Sequence, residues 1–472
     1  MSPQKKYLTT TLPYVNADPH IGFALEIVQA DTLARMWRQR GYDVVFNTGT
    51  DEHGQKIYQK ALEEKKSPQV YCDEYAARFN DLKKALNLSY THFIRTTDTH
   101  HIAAAQEFWR RCDKNGYIYK KNYQTSYCVG CELEKTDSEL VDGKCPLHPN
   151  KSLEKRDEEN YFFKFSAFQK PLLDLYEKQP DFVLPLSKMH EIRQFVAGGL
   201  QDFSISRIKE KMPWGIEVPG DPTQVMYVWF DALINYISTL GWPEDEKNFD
   251  AFWPGMQVAG KDNLRQQSAM WQAMLSAAGL PFSKQIVIHG FITSAGQKMS
   301  KSLGNVVNPF DLVKKYGTDA VRYYILREIP TLDDGDFSEN RMRELYNADL
   351  ANELGNSVSR IVTLAAKDAI DITHENISLS EKDCVAIETF QMSELLAIIW
   401  EDIKKLNKET NDFEPWSKPE KARVAFLKKA LSILYTTSVR LSPFLPETSE
   451  KIQKATTGTI QKIQPLFPRL SL

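Results

Sequence analysis

The sequence has no apolar run long enough to cross a bilayer. Its longest apolar stretches, such as Ile286 to Ile288 and Leu395 to Trp400, fall far short of the roughly 20 residues a spanning helix needs. No signal-peptide core follows Met1 to Lys6, which leads straight into a strand-like run. Cysteine is scarce, six among 472 residues, and the spacing is unlike a disulfide framework. These absences point to a reducing, cytoplasmic setting with no membrane partner. An excess of one charge is missing too. Lys plus Arg is 59, Asp plus Glu is 62, and the net charge is -3. A nucleic-acid partner would therefore be held by local basic patches rather than by the whole-chain field. Internal repeats and low-complexity segments are also absent. What remains is an ordinary globular balance in a chain long enough for two to four domains.

The first part alternates strands and helices. Tyr7 to Leu12 reads as a strand. Asn16 to Asp18 form a turn, and Asp18 before Pro19 suits a helix start. Leu25, Val28, Met36 and Trp37 recur at helical spacing until Gly41. Val44 to Asn47 reads as a second strand, with helices from about Pro68 to Leu86 and Thr99 to Asn115. This order predicts a parallel sheet with flanking helices. Residues 117 to 149, rich in Tyr, Lys, Cys and Gly, look like an inserted module. The α/β pattern returns with strands expected at Met226 to Phe230, Gln257 to Ala259 and Ile286 to His289, and a helix from Leu264 to Ala278. Beyond about Arg341 the periodicity predicts a helical bundle: Leu345 to Lys367, Glu381 to Lys408, Lys418 to Ser442 and Glu447 to Lys454.

Three clusters carry chemistry. The first is Pro19-His20-Ile21-Gly22-Phe23 with Glu26, where a strand gives way to a helix. A helix N-terminus offers N–H groups and a positive field to polyphosphate, Gly22 admits a nucleotide to the backbone, and His20 can donate to a phosphate oxygen. Alone, this is no more than a helix start with an incidental histidine. The second is Lys298-Met299-Ser300-Lys301-Ser302. Two lysines in a Ser/Gly loop after a strand can neutralise charge on a leaving pyrophosphate, although a solvated loop is the common fate of such composition. The third is Cys128-x2-Cys131 with Cys145-x2-His148, Cys3His spacing for a tetrahedral zinc. Four protein ligands leave no open position, so that zinc is structural.

The first two clusters together resemble the paired signatures of class I aminoacyl-tRNA synthetases, and across nearly the whole chain the resemblance is closest to the methionyl-tRNA synthetases. It implies a split Rossmann-type α/β catalytic domain with a zinc-binding connective insertion, followed by an all-α anticodon-binding bundle. The boundaries it implies are 1–115 for the first catalytic half, 116–204 for the insertion, 205–340 for the second half with the lysine loop, and 341–472 for the bundle. It further implies ATP-dependent, Mg-assisted activation of L-methionine and its transfer to tRNA(Met).

By the same resemblance, His20, Lys298 and Lys301 are catalytic. ATP is held by His20, Gly22, Phe23, Glu26, Gly260, Lys261, Asp262, Lys298, Met299, Ser300, Lys301 and Ser302. Asp51 matches the acid that binds the amino group of methionine, a charge-assisted contact. Leu12, Tyr14, Trp229, Ala232 and Tyr236, with Asn263 and Gln267, match the side-chain pocket, where aromatic rings suit a thioether. Asn356, Arg360 and Trp416 match the residues that read the anticodon, by stacking and by base-edge contacts. The sequence ends soon after the bundle, which implies a monomer.

Three positions depart from the family pattern. Phe23 stands where the first signature usually ends in His, and is expected to pack near the adenine or ribose. Asn263 and Gln267 stand where an aliphatic residue and a His usually line the pocket. A polar wall binds a thioether poorly unless its amides are satisfied elsewhere. The insertion leaves little room for an editing domain, and no Cys precedes the first signature, which separates the chain from the leucine, isoleucine, valine and cysteine enzymes. The remaining alternative is a synthetase-like tRNA-binding protein with altered specificity or lost catalysis.

Overall fold

The computed structural model describes residues 3–470 apart from 131–132, 136–139, 295, 300–304 and 376; for 123–125, 133–135, 156–157 and 298 it describes the backbone alone. Six strands build one parallel sheet: β1 (Lys5–Thr10), β2 (Asp43–Thr50), β3 (His92–Arg95), β4 (Val183–Leu184), β5 (Met256–Gly260) and β6 (Gln285–His289). Their order is β3-β2-β1-β5-β6-β4. Leu8 of β1 is flanked by Phe46 of β2 and Met256 of β5. The direction of winding reverses between β1 and β5, and ligands bind at the carboxyl ends of strands beside such a reversal.

Helices cover both faces of the sheet, which is why its strands read as continuous apolar runs. The side-chain period of two splits β1 between two cores. Leu8 joins a core that runs on into the C-terminal helices, and Tyr7 joins the core of the opposite face. Helix α1 (Ile21–Gln39) lies in the first core and is buried almost all round, including Glu26, Gln29, Asp31 and Thr32. A helix enclosed on every side needs an internal partner for each polar group. Asp31 has several: Arg35 at 2.7 Å, the Ser89 hydroxyl at 2.6 Å and Arg322 at 2.8 Å. Arg322 belongs to α2 (Thr318–Arg327) and also donates to the carbonyls of Phe444 and Pro443, at 2.7 and 3.0 Å, and Leu86, at 3.2 Å. Burial favours the neutral acid, but Arg322 and Arg35 hold the Asp31 carboxyl below its usual range.

The 116–204 segment begins as a long antiparallel pair, Ile118–Cys128 with Glu154–Phe163. The same segment then supplies β4, parallel to β6 at the edge of the main sheet. Met226 to Phe230 is not a strand of that sheet. Asp221–Met226 is a strand of a small antiparallel sheet, and Val228–Ala232 turns into helix. Their apolar run reflects burial, which helix and strand share at this length.

The C-terminal part is helical as predicted, with one break. The pattern over Glu381 to Lys408 divides into Glu381–Glu388 and Met392–Phe413, because buried Phe390 adopts a left-handed φ of 59°. Among the described residues no helix is long and apolar enough to cross a membrane.

The buried pair makes a direct prediction. Arg322→Ala removes one of the two arginines from the buried Asp31 carboxylate and leaves three carbonyls without their donor, and should cost about 3–5 kcal/mol. The expected outcome in chemical denaturation is earlier unfolding of catalytic and bundle fluorescence together, and a double Asp31→Asn, Arg322→Met variant should lose less.

Candidate active site

The reversal point is occupied by the start of α1. His20 caps the helix in extended conformation, and its Nδ1 accepts the Gly22 N–H at 3.0 Å. A neutral ring bonded this way carries its hydrogen on Nε2, a donor suited to a phosphate oxygen. Gly22 is required for the geometry, since a Cβ there would lie 2.8 Å from His20 Cε1. The Ile21 N–H donates to the Val307 carbonyl at 3.0 Å. The chain emerging from the lysine-loop segment thus docks on the same helix start as His20. Phe23 is half-buried and meets Phe79 edge-on at 5.4 Å, its packing partner from the Pro68–Ala85 helix.

The second strand end beside this point carries His289. Glu26, one helical turn past Gly22, uses both carboxylate oxygens internally. One accepts from the Thr11 N–H and hydroxyl, each at 2.6 Å, and the other meets His289 Nε2 at 2.9 Å. His289 Nδ1 donates to the Gly290 carbonyl at 2.7 Å. Burial opposes a charged ring, but the Glu26 hydrogen bond and charge outweigh it and raise the His289 pKa. This bridge ties β1, α1 and β6 together beneath Gly260.

At the end of β2, Asp51 is buried and pairs as an isolated parallel bridge with Tyr14. The next two residues lock it in place. Glu52 is buried and receives Arg95 through both oxygens, at 2.6 and 2.8 Å, together with the Thr50 and Thr97 hydroxyls. His53 Nδ1 lies 2.7 Å from Asp231, whose other oxygen lies 2.8 Å from His101 Nε2. Burial favours neutral Asp231, yet the two imidazoles keep its pKa low. The 229–236 stretch is pinned to the sheet at three points: His53 to Asp231, Asn47 to Asn235 at 3.1 Å, and the Tyr7 hydroxyl to the Tyr236 carbonyl at 2.8 Å. That holds the stretch carrying Trp229, Ala232 and Tyr236 against β1 and β2, the strands that lead to Leu12, Tyr14 and Asp51. The Trp229 indole N–H is buried with no partner among the described residues.

The helix after β5 widens into a π-helical turn across Gln266–Met270, a local distortion often found at sites. Gln267 is buried and its amide donates to the Tyr236 hydroxyl at 2.7 Å. Its oxygen accepts from Gln257 at 3.3 Å. The polar group on the predicted pocket wall is therefore satisfied from behind. Asn263 is half-buried. Lys261 pairs with Asp334 at 2.5 Å and lies over the Phe291 ring at 4.6 Å. Exposed Asp262 folds back over Gly260.

The lysine loop leaves from a hairpin, Ile292–Ser294 with Gln297–Lys298, backed by the parallel strand Gly335–Phe337. Lys298 is placed by its backbone, and Met299 packs partly buried on the first core. Ser300, Lys301 and Ser302 lie outside the described residues.

Two further clusters stand apart. Cys128 and Cys145 are buried, with Sγ atoms 3.7 and 3.9 Å from His148 Nδ1. Tetrahedral zinc with ordinary bond lengths would put sulfur and nitrogen about 3.6 Å apart, so these three side chains are already set for the ion. Gly130 leaves the space the His148 ring fills. Cys131 lies outside the described residues. On the bundle, Arg360 donates to Asn411 at 2.9 Å and stands 5.4 Å over the ring of Trp416, which is 51% exposed. Asn356 is exposed one turn earlier on the same face.

Known proteins resemble this chain in sequence and fold. The family described as tRNA synthetases class I (M) matches residues 6–153 and 148–362. The methionine–tRNA ligase of Thermosynechococcus vestitus is 51% identical over 366 residues, 76% of this chain and 69% of that one. The chain belongs to the class I methionine–tRNA ligase family. The Synechocystis member is 42% identical over 470 residues, covering 94% of this chain and 88% of its own. A solved methionyl-tRNA synthetase of Mycobacterium tuberculosis, in complex with methionyl-adenylate, superposes with a TM-score of 0.91 at 34% identity, covering 99% of this chain and 100% of that one.

Sequence reasoning passed over four buried residues that build the site of this ligase family member: His53, His101, Asp231 and His289. His289 had a legible signal, a histidine closing the strand before the lysine loop. The pairing of His53 with Asp231 had none, because 178 residues separate them. The raised His289 pKa fixes a pH dependence. Its bridge to Glu26 stabilises the fold fully below about pH 6.5, and that contribution fades as pH rises through the raised value. His289→Gln, which does not titrate, should melt below wild type in acid, with the gap in Tm narrowing as pH rises. A gap independent of pH would contradict the charged bridge.

Proposed function

We propose that the chain activates L-methionine with Mg-ATP to methionyl-adenylate and transfers the methionyl group to tRNA(Met). One observation carries the reading: the His20–Gly22 helix start, the docked exit of the lysine loop and buried Asp51 meet at the reversal of a parallel sheet. Relatives that share this frame are methionine–tRNA ligases.

In the first step a methionine carboxylate oxygen attacks the α-phosphorus of ATP, the bond to the β-phosphate breaks and pyrophosphate leaves. The protein supplies position and charge. Asp51 holds the ammonium group. Leu12, Tyr14, Trp229, Ala232, Tyr236, Asn263 and Gln267 surround the side chain. His20, Gly22 and the α1 N-terminus take one side of the phosphates, and Lys298 and Lys301, with Met299, Ser300 and Ser302, the other. Gly260, Lys261 and Asp262 hold the ribose, with Phe23 nearby. Glu26 acts through Thr11 and His289, fixing the floor under the nucleotide. In the second step the 2′-hydroxyl of the terminal adenosine attacks the adenylate carbonyl, and AMP departs.

Four ligands, Cys128, Cys131, Cys145 and His148, would hold a structural zinc that shapes the tip of the insertion. Asn356, Arg360 and Trp416 read the anticodon: the exposed indole stacks on a base, and Arg360, braced by Asn411, presents its remaining donors to base edges. The division into 1–115, 116–204, 205–340 and 341–472 separates these tasks, with β4 lending the insertion an anchor in the catalytic sheet. The working unit is a cytoplasmic monomer.

Amino-acid-dependent ATP–pyrophosphate exchange tests this reading. Methionine alone should drive exchange, and Lys301→Ala should lower kcat by a hundredfold or more, about 2.7 kcal/mol of transition-state stabilisation. Exchange driven by another amino acid would overturn the substrate, and a fully active Lys301→Ala would overturn the role of the loop.

A further inference from the structure

One helical run extends without a break from Glu339 to Lys367, and its middle is not α-helical. Tyr346–Gly355 is π-helical over ten residues, and the Asn356 N–H that follows it reaches five residues back, to the Ala351 carbonyl. Such helices occur mostly as single turns, often at functional sites. A run of ten needs support from outside, and three neighbours give it. The Tyr323 hydroxyl, from α2, donates to Asp349 Oδ2 at 2.7 Å. The Met392–Phe413 helix supplies Trp400, whose Nε1 donates to the Asp349 carbonyl at 3.4 Å. It also supplies Asn407, whose amide donates to the Glu353 carbonyl at 3.2 Å and to the Glu353 carboxylate at 2.7 Å. In the C-terminal segment the Pro468 carbonyl accepts from the Tyr346 hydroxyl at 3.0 Å, and the Leu470 N–H donates to Asn347 Oδ1 at 3.1 Å. Gly355 closes the π-helical part in ordinary right-handed conformation, with φ −62° and ψ −44°. A Cβ there would nevertheless stand 3.0 Å from the Leu350 carbonyl oxygen, five residues back.

We propose that this π-helical segment is a phasing element: it turns Asn356 and Arg360 toward Asn411 and Trp416, and Tyr323, Asp349 and Asn407 are the positioning residues that hold it. The proposal rests on the reading that Asn356, Arg360 and Trp416 bind the anticodon. A π turn takes in about one residue more than an α turn, and one residue is about 100° of helical rotation. An α-helical course through the same ten residues would swing Asn356 and Arg360 away from their present face. Arg360 would then leave Asn411, to which it donates at 2.9 Å, and the Trp416 ring, which it overlies at 5.4 Å. One face of the Met392–Phe413 helix registers the whole run. Trp400, Asn407 and Asn411 recur there at helical spacing and meet Asp349, Glu353 and Arg360 in the same order. Tyr323 follows Arg322 on α2, so the helix that grips Asp31 of α1 also sets the phase of the anticodon face.

The test measures KM for tRNA(Met) in charging beside methionine-dependent ATP–pyrophosphate exchange. Gly355→Ala is the first variant. Alanine is the better α-helix former and suits the Gly355 dihedrals, so Tm should equal or exceed that of the wild type. The new Cβ crowds the Leu350 carbonyl along the π course, and the run should relax toward α. Tyr323→Phe and Asn407→Leu each remove one clamp. All three should raise KM for tRNA(Met) by about two- to tenfold, the range of a neutral hydrogen bond, and leave exchange unchanged. Asp349→Asn keeps an acceptor for the Tyr323 hydroxyl and should hold the wild-type KM. An unchanged KM in Gly355→Ala and Tyr323→Phe, or a loss of exchange equal to the loss of charging, would overturn the phasing role. A loss in Asp349→Asn equal to that in Tyr323→Phe would overturn the Tyr323 clamp. Trp416→Ala separates these outcomes from a failure of the anticodon reading. If Trp416→Ala leaves KM for tRNA(Met) unchanged, that reading falls. A raised KM in Trp416→Ala with a wild-type KM in Gly355→Ala and Tyr323→Phe overturns the phasing alone.

Discussion

Helix α1 is enclosed by protein on every side yet carries two carboxylates, and the rest of the structure is arranged around satisfying them. Glu26 near its start is answered by Thr11 and by His289 at the end of a strand on the far side of the sheet reversal. Asp31 in its middle is answered by Arg322, which also holds the backbone of the last helices. At its far end Trp37 donates to Glu388 of the bundle at 2.9 Å. One helix therefore starts at its histidine cap, His20, and finishes against the helical domain. A buried charge without its partner costs several kcal/mol, so these pairs fix how the catalytic halves and the bundle sit around α1.

The same economy shapes the amino-acid side of the site. Asp51, proposed to hold an ammonium group, is buried, and the two residues after it are immobilised by neighbours. Glu52 is clamped by Arg95, and His53 by Asp231. Asp231 sits within the aromatic stretch, so its bond to His53 is one of three that hold that stretch against the sheet. The glutamines follow similar logic. Gln257, Gln267 and Gln272 look like a polar defect in an apolar pocket until their amides are traced, and each is then engaged.

Much of this was legible in the sequence. The motifs around His20 and Lys298 stand out by residue type and position, and the Cys/His spacing brings together Cys128, Cys145 and His148, a cluster compatible with zinc. Arg360 and Trp416 do come together on the bundle, with Asn411 bracing the arginine. What stayed hidden was set by tertiary contact. Val228–Ala232 is helical although its apolar run reads as a strand, and Phe390 breaks a helix whose periodicity runs on through it. Phe23 packs edge-on against Phe79 of the Pro68–Ala85 helix, a partner that its own segment does not reveal. β4 is two residues long and offers no period to read. Buried polar pairs such as His53 with Asp231 leave no local trace, since their partners are chosen by the fold.

Helix α1 joins the sheet reversal, where activation is proposed, to the bundle that carries the proposed anticodon-reading surface. The measurement that tests it most directly is aminoacylation of tRNA(Met) by the intact chain, with the CAU anticodon and with its bases exchanged. The proposed function predicts methionine charging of the CAU transcript and a loss of several orders of magnitude on anticodon exchange. Equal charging of both transcripts, or none of either by a chain that still activates methionine, would contradict it.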